Sequence, residues 1–223
     1  MPAELDGPRL EPRTGPARAL VALLHGYGAD GNDLIELGRA WQGLLPQAAF
    51  VSPHGPERCV QSPGRQWFSL TFRDPDERWR GCGKAAPALE AFLDAELTRR
   101  SLPASALALV GFSQGTMMAL HVGLRRGRAP FAIVGYSGVL AAPLDAKPEQ
   151  LAGEIKSRPP VLLIHGDRDD LIPVDALFGS AAALAALGVP AEWHMSLGMG
   201  HGIDQEGLRH GGEFLARRLA ERA

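Results

Sequence analysis

Cysteine is scarce in this chain, with only Cys59 and Cys82 in 223 residues. The Pro-, Arg- and Glu-rich stretch 1–18 has no apolar h-region, so a secretory leader is not expected. Two thiols without a leader are expected to be free rather than bridged. No run approaches the ~18 consecutive apolar residues of a membrane-spanning helix. Formal net charge is −2, and no Lys/Arg cluster interleaves with aromatics. Nothing here recruits nucleic acid or an anionic membrane. Metal-ligand spacing is also missing, because Asp167, Asp169 and Asp170 do not continue into a calcium-loop pattern. The glycine loop His25 to Gly31 has neither the Lys-Ser/Thr of a phosphate loop nor the Gly-x-Gly-x-x-Gly of a dinucleotide site. No cofactor is expected. A cytoplasmic protein without stable membrane insertion is expected, as a monomer or homodimer.

Apolar content is 45% and charged content 22%, ordinary for a globular domain with a sizeable core. Short apolar runs alternate with helix-like segments. Strands are expected at 19–24, 48–52, 106–110, 131–136, 161–164 and 191–196. Helices are expected at 33–41 (capped by Asn32), 84–100, 116–126, 174–187 and 204–220. Such alternation predicts an α/β fold: a mostly parallel central sheet with helices on both faces and no large cap. The domain is expected to span 19–223, with 1–18 as an arm. Stretches 53–83 and 141–160 read as loops, the second with one short helix.

Gly111-Phe112-Ser113-Gln114-Gly115 follows the apolar run Leu107 to Val110 and precedes a helix-like stretch. A serine in Gly-x-Ser-x-Gly between strand and helix is a nucleophile elbow, its hydroxyl pushed outward at a helix N-terminus. Two later loops each follow a strand. One is His165-Gly166-Asp167-Arg168-Asp169-Asp170; the other is Gly198-Met199-Gly200-His201-Gly202. The order Ser, Asp, His is that of α/β-hydrolases. His201 is the expected base for Ser113, and a carboxylate must hold its other ring nitrogen. Asp169 is the choice, with Asp167 and Asp170 as alternatives; Asp167 is expected to bond loop backbone. His25 and His165 are expected to brace His-Gly turns. Two N–H donors are needed for an oxyanion, expected from the backbone of Gln114 and of Tyr27.

Leu24-His25-Gly26-Tyr27-Gly28-Ala29-Asp30, Gln66-Trp67-Phe68, Gly111 to Gly115, the His165 to Pro173 segment and Gly200-His201 together resemble the phospholipase/carboxylesterase family of α/β-hydrolases, which includes acyl-protein thioesterases. The resemblance runs from about Leu20 to the last helix. It implies Ser113 as nucleophile, Asp169 as acid and His201 as base, and a small-molecule carboxylic ester as substrate. Thr116 and Tyr27 depart from the glycine and leucine that many members carry. Thioesterase or lysophospholipase activity with the same triad is an alternative, and a non-catalytic binding module another. Trp67, Phe68, Leu70, Leu171 and Ile172, with Tyr27, are expected to line the acyl pocket. Phe72 and Trp79 are expected to plug the loop onto the core.

Overall fold

The computed structural model describes residues 4–71, 73–146 and 148–222. In chain order the elements are β1 (Arg9–Leu10), β2 (Ala19–Leu24), α1 (Gly31–Trp41), β3 (Ala48–Val51), β4 (Glu57–Arg58), β5 (Arg65–Gln66), α2 (Glu77–Arg99), β6 (Leu107–Phe112), α3 (Gln114–Arg125), β7 (Ala132–Tyr136), α4 (Pro148–Glu154), β8 (Val161–Gly166), α5 (Asp175–Ala186), β9 (Ala191–Ser196) and α6 (Gln205–Ala220). The main sheet has seven strands in the order β1-β3-β2-β6-β7-β8-β9. Only β1 runs antiparallel to its neighbour. β4 and β5 form a separate hairpin.

Alternation along each strand sorts the apolar residues to two faces. Leu20, Ala22 and Leu24 of β2 pack with residues of α2, α3 and α5, such as Leu89, Met118 and Leu184. Ala19, Val21 and Leu23 pack instead with α1 and α6 residues, including Ile35, Trp41 and Phe214. Both faces are covered, which is why the central strands are apolar throughout.

Three boundaries differ from the sequence reading. Residues 4–18 are part of the fold rather than an arm. Arg9 and Leu10 pair with Val51 and Phe50, and Leu5 joins the core. Arg9 Nε also donates to the buried Glu96 of α2 at 3.0 Å. α2 begins at Glu77, well before Lys84. Gly81 and Gly83 read as loop residues, but the Phe68 ring lies where a Cβ on Gly81 would stand. The α1 cap is Asp30, whose Oδ1 accepts the Asn32 N–H at 2.7 Å. Cys59 and Cys82 are free and buried. Burial pushes the Cys82 thiol up to about 12. No helix of the described residues is long and apolar enough to cross a membrane.

Candidate active site

Ser113 sits between β6 and α3 with φ 53° and ψ −112°, the strained geometry of an elbow. Neighbouring backbone crowds both flanks. A Cβ on Gly111 would strike the Gly115 carbonyl, and one on Gly115 would strike Leu24 O. The motif's glycines are therefore forced by backbone approaching backbone. Thr116 bolts the turn. Its Oγ1 lies 2.8 Å from the carbonyls of Gly111 and Tyr136. Ser113 N–H donates to Tyr136 O at 2.8 Å, while its hydroxyl has no hydrogen bond among the described residues.

Backbone pairing beyond the strand ends brings acid and base together. Past β8 and β9, Asp167 N–H donates to Ser196 O at 3.2 Å and Arg168 N–H to Met199 O at 2.9 Å. Asp167 Oδ1 accepts the Gly198 N–H at 2.6 Å, the loop-bonding job expected of it. Asp170 is exposed. Asp169 is buried, and its Oδ2 lies 2.8 Å from His201 Nδ1. Its Oδ1 accepts N–H groups from Leu171 at 3.0 Å and Ile172 at 2.8 Å. Burial pushes the Asp169 carboxyl up, but the bonds from Ile172, His201 and Leu171 outweigh it and hold the group below the usual carboxylate range. Two contacts steady the His201 loop. The Phe112 ring lies 5.0 Å from the His201 ring, and Ser137 Oγ donates to Gly202 O at 3.2 Å. Neither partner was singled out from sequence; Phe112 in the motif's variable position was the one available signal.

On the other side of Ser113, Gly26 backs against Phe112 and Ser113. Neither Tyr27 N–H nor Gln114 N–H has a hydrogen-bond partner among the described residues. His25 braces this loop, as expected for a His-Gly turn. Its Nδ1 donates to Gly26 O at 2.7 Å and its Nε2 accepts the Gly55 N–H at 2.8 Å. Desolvation lowers its pKa, so both bonds use the uncharged ring. The Gln114 side chain has a task that sequence reasoning missed. Its Oε1 accepts Trp67 N–H at 2.8 Å and its Nε2 donates to Phe68 O at 2.7 Å. This clamps the loop after β5 onto the elbow.

That clamp corrects the pocket expectation. Trp67 is 1% exposed and Phe68 2%. Trp67 Nε1 donates to His25 O at 3.0 Å, and Phe68 packs on α2 at Gly81. Ile172 is buried in the core as well. All three are buried against the core, and their loop polar groups are held by Gln114, His25 and Asp169. Leu70 is partly buried against the same core, whereas Leu171 stands 67% exposed beside Asp169. Tyr27 is half-buried. Trp79 stacks on the elbow helix, 5.0 Å from the His121 ring and 4.7 Å from the Arg125 guanidinium. Phe72 lies outside the described residues.

Away from Ser113, His194, Glu206 and His210 have donor atoms within 4.8 Å of one another. The Arg209 guanidinium lies 3.3 Å from His210 Nε2.

A parallel sheet with a strained serine after β6, an acid after β8 and a histidine after β9 is an α/β-hydrolase arrangement. The chain belongs to the phospholipase/carboxylesterase family, whose model matches residues 5–219, and is a carboxylic ester hydrolase. It is 44% identical to the solved esterase PE8, covering 96% of this chain and 99% of that one with a TM-score of 0.90. It is 27% identical to esterase YpfH of Escherichia coli (strain K12), over 87% of this chain and 80% of that protein. It is 25% identical to acyl-protein thioesterase 1 of Gibberella zeae, over 95% of each.

Proposed function

We propose that this protein is a serine carboxylesterase that hydrolyses short to medium acyl esters through an acyl-enzyme on Ser113. The observation that carries the reading is the hydrogen bond of 2.8 Å from the buried Asp169 to His201 beside the strained elbow. His201 Nε2 takes the Ser113 hydroxyl proton as Oγ attacks the ester carbonyl carbon. The oxyanion accepts the N–H groups of Gln114 and Tyr27, at the start of α3 where the helix dipole adds to the donors. The carbonyl re-forms, the C–O bond to the alcohol breaks, and His201 gives the alcohol its proton. Water then attacks the acyl-enzyme, giving its proton to His201. The acid leaves, and Ser113 Oγ recovers the proton. Asp169 fixes the His201 tautomer and stabilises its charged form between these steps.

Trp67 and Phe68 are 1% and 2% exposed, which supports an acyl site that does not extend between them. Leu171 and Leu70 remain the side chains proposed to meet the acyl group. Esterases PE8 and YpfH are named for ester hydrolysis, whereas the Gibberella relative is named for thioesters. Work in the cytoplasm, supported by the two unbridged thiols, and a monomer or homodimer belong to the same proposal. The test is hydrolysis of p-nitrophenyl esters of rising acyl length beside a matching thioester. Highest kcat/KM on acetyl-to-hexanoyl esters is expected. A preference for long acyl thioesters would transfer the protein to the other activity.

A further inference from the structure

Alternation along β9 turns Glu192, His194 and Ser196 towards α6, while Trp193 rests on Phe178 of α5. The two outer residues of that row find polar partners. Glu192 accepts from Arg217 at 2.9 and 2.8 Å and from Arg218 at 2.6 Å. Ser196 Oγ donates to Asp204 Oδ1, the cap of α6, at 3.1 Å. His194, between them, meets the ring of His210, with centroids 4.3 Å apart. Its Nε2 is buried and has no hydrogen-bond partner among the described residues. Buried ring nitrogens ordinarily have one, so the middle of this row has a polar need that the protein leaves unmet. His210 offers an acceptor here. Arg209 Nη2, 3.3 Å from His210 Nε2, can only donate, so Nε2 holds a lone pair. Glu206, one turn earlier on α6, places Oε1 3.6 Å from the same nitrogen.

We infer that His194, Glu206 and His210 form a binding site for a divalent metal ion of the zinc class, which clips β9 to α6. One donor atom from each of the three already stands within 4.8 Å of the others. Ligands about 2.1 Å from a tetrahedral ion are about 3.4 Å apart, so the trio must close by roughly 1 Å. The Glu206 and His210 side chains, 59% and 33% exposed, have room for that movement. Two imidazoles and one carboxylate suit zinc, nickel or copper, whereas calcium and magnesium take oxygen ligands. Three protein ligands leave the remaining position to water. Arg209 is the competing cation. It lies 3.8 Å from Glu206 Oε1, but its Nη1 also holds the Glu213 carboxylate at 3.1 and 2.9 Å and can stay there. The loop between β9 and α6 carries His201, so the ion would fasten both ends of that segment. The site is separate from Ser113 and does not rest on the esterase reading.

The test is isothermal titration of the untagged, chelator-stripped protein with zinc chloride and, separately, calcium chloride. One zinc ion per chain is expected, with calcium far weaker. His194→Ala and His210→Ala should each weaken zinc binding by at least about 100-fold, beyond the cost of losing a partner behind a ligand. Arg209→Gln should tighten it, because a competing positive charge is gone. The urea midpoint of the wild type should rise with zinc concentration, and that of His210→Ala should not. If His194→Ala fails to fold, the half-buried His210 decides. His201→Ala should bind zinc as the wild type does; a loss there would move the ion to the active site and overturn the inference. Calcium bound as tightly as zinc, no zinc binding, or zinc binding unchanged in His210→Ala would overturn it as well.

Discussion

At the scale of single residues, acid and pocket assignments predict opposite kinds of damage. Asp169→Asn keeps the shape of the carboxylate but would hold His201 in the wrong tautomer. A fall of about 10⁴ in kcat is expected. Asp167→Asn leaves Asp169 untouched, and its kcat should stay within a few-fold. Equal losses in the two variants, read by steady-state kinetics, would remove Asp169 from its assigned place. Phe68→Ala should behave as a core truncation, costing about 3–5 kcal/mol in urea unfolding with the acyl-length profile unchanged. A profile shifted to longer acyl chains at wild-type stability would put Phe68 back on the pocket wall. Glycines 111 and 115, Ser113 and the pair Asp169–His201 were legible from sequence, because a tight turn and a charge-bearing base each demand particular residue types. The fate of Trp67 and Phe68 was not legible. It depends on Gln114, 46 or 47 positions away, capturing the loop backbone.

At the scale of elements, the strands were legible because apolar runs buried on both faces have one reading. The starts of helices and the edge strand were less so. β1 is two residues long, and what holds it is tertiary. Arg9 Nε meets Glu96 Oε1 at 3.0 Å, and Arg100 Nη1 meets Glu96 Oε2 at 2.5 Å. The long α2 shelters this network. Pro87 removes one helical N–H inside it, yet the helix continues, since Leu89, Phe92 and Leu93 bury against the sheet. Glu96→Gln leaves three guanidiniums, of Arg9, Arg99 and Arg100, without their shared carboxylate, in a site where Glu96 and Arg100 side chains are 5% exposed. A loss of roughly 3 kcal/mol is expected, with early proteolytic cutting in residues 4–18. Wild-type stability and an intact N-terminal segment in that variant would show that β1 is held by its apolar contacts alone.

Across the whole molecule, stability should depend on pH through histidines that fold uncharged. Burial, helped by the Arg125 charge, lowers His121 to about 4, and His25 is lowered in the same direction. Unfolded, both take a proton near 6.5. Between these values the unfolded chain holds protons that the folded chain lacks, so stability is full above about pH 6.5 and declines as pH falls towards 4. His121 alone accounts for about 3 kcal/mol over that window, on the order of 1.4 kcal/mol per pKa unit. Urea midpoints measured from pH 7.5 to 4 should show the decline. His121→Leu should flatten it, and also relieve the unpartnered Nδ1 buried there. A wild-type curve already flat to pH 4 would contradict this origin.

The central claim is that an ester's acyl group passes through Ser113. Intact-protein mass spectrometry after rapid mixing with p-nitrophenyl butyrate tests it most directly. A transient mass increase equal to one butyryl group is expected in the wild type. Ser113→Ala should show no increase, and a kcat at least ~10⁴ lower in that folded variant. Butyryl transfer or near wild-type turnover in Ser113→Ala would contradict it.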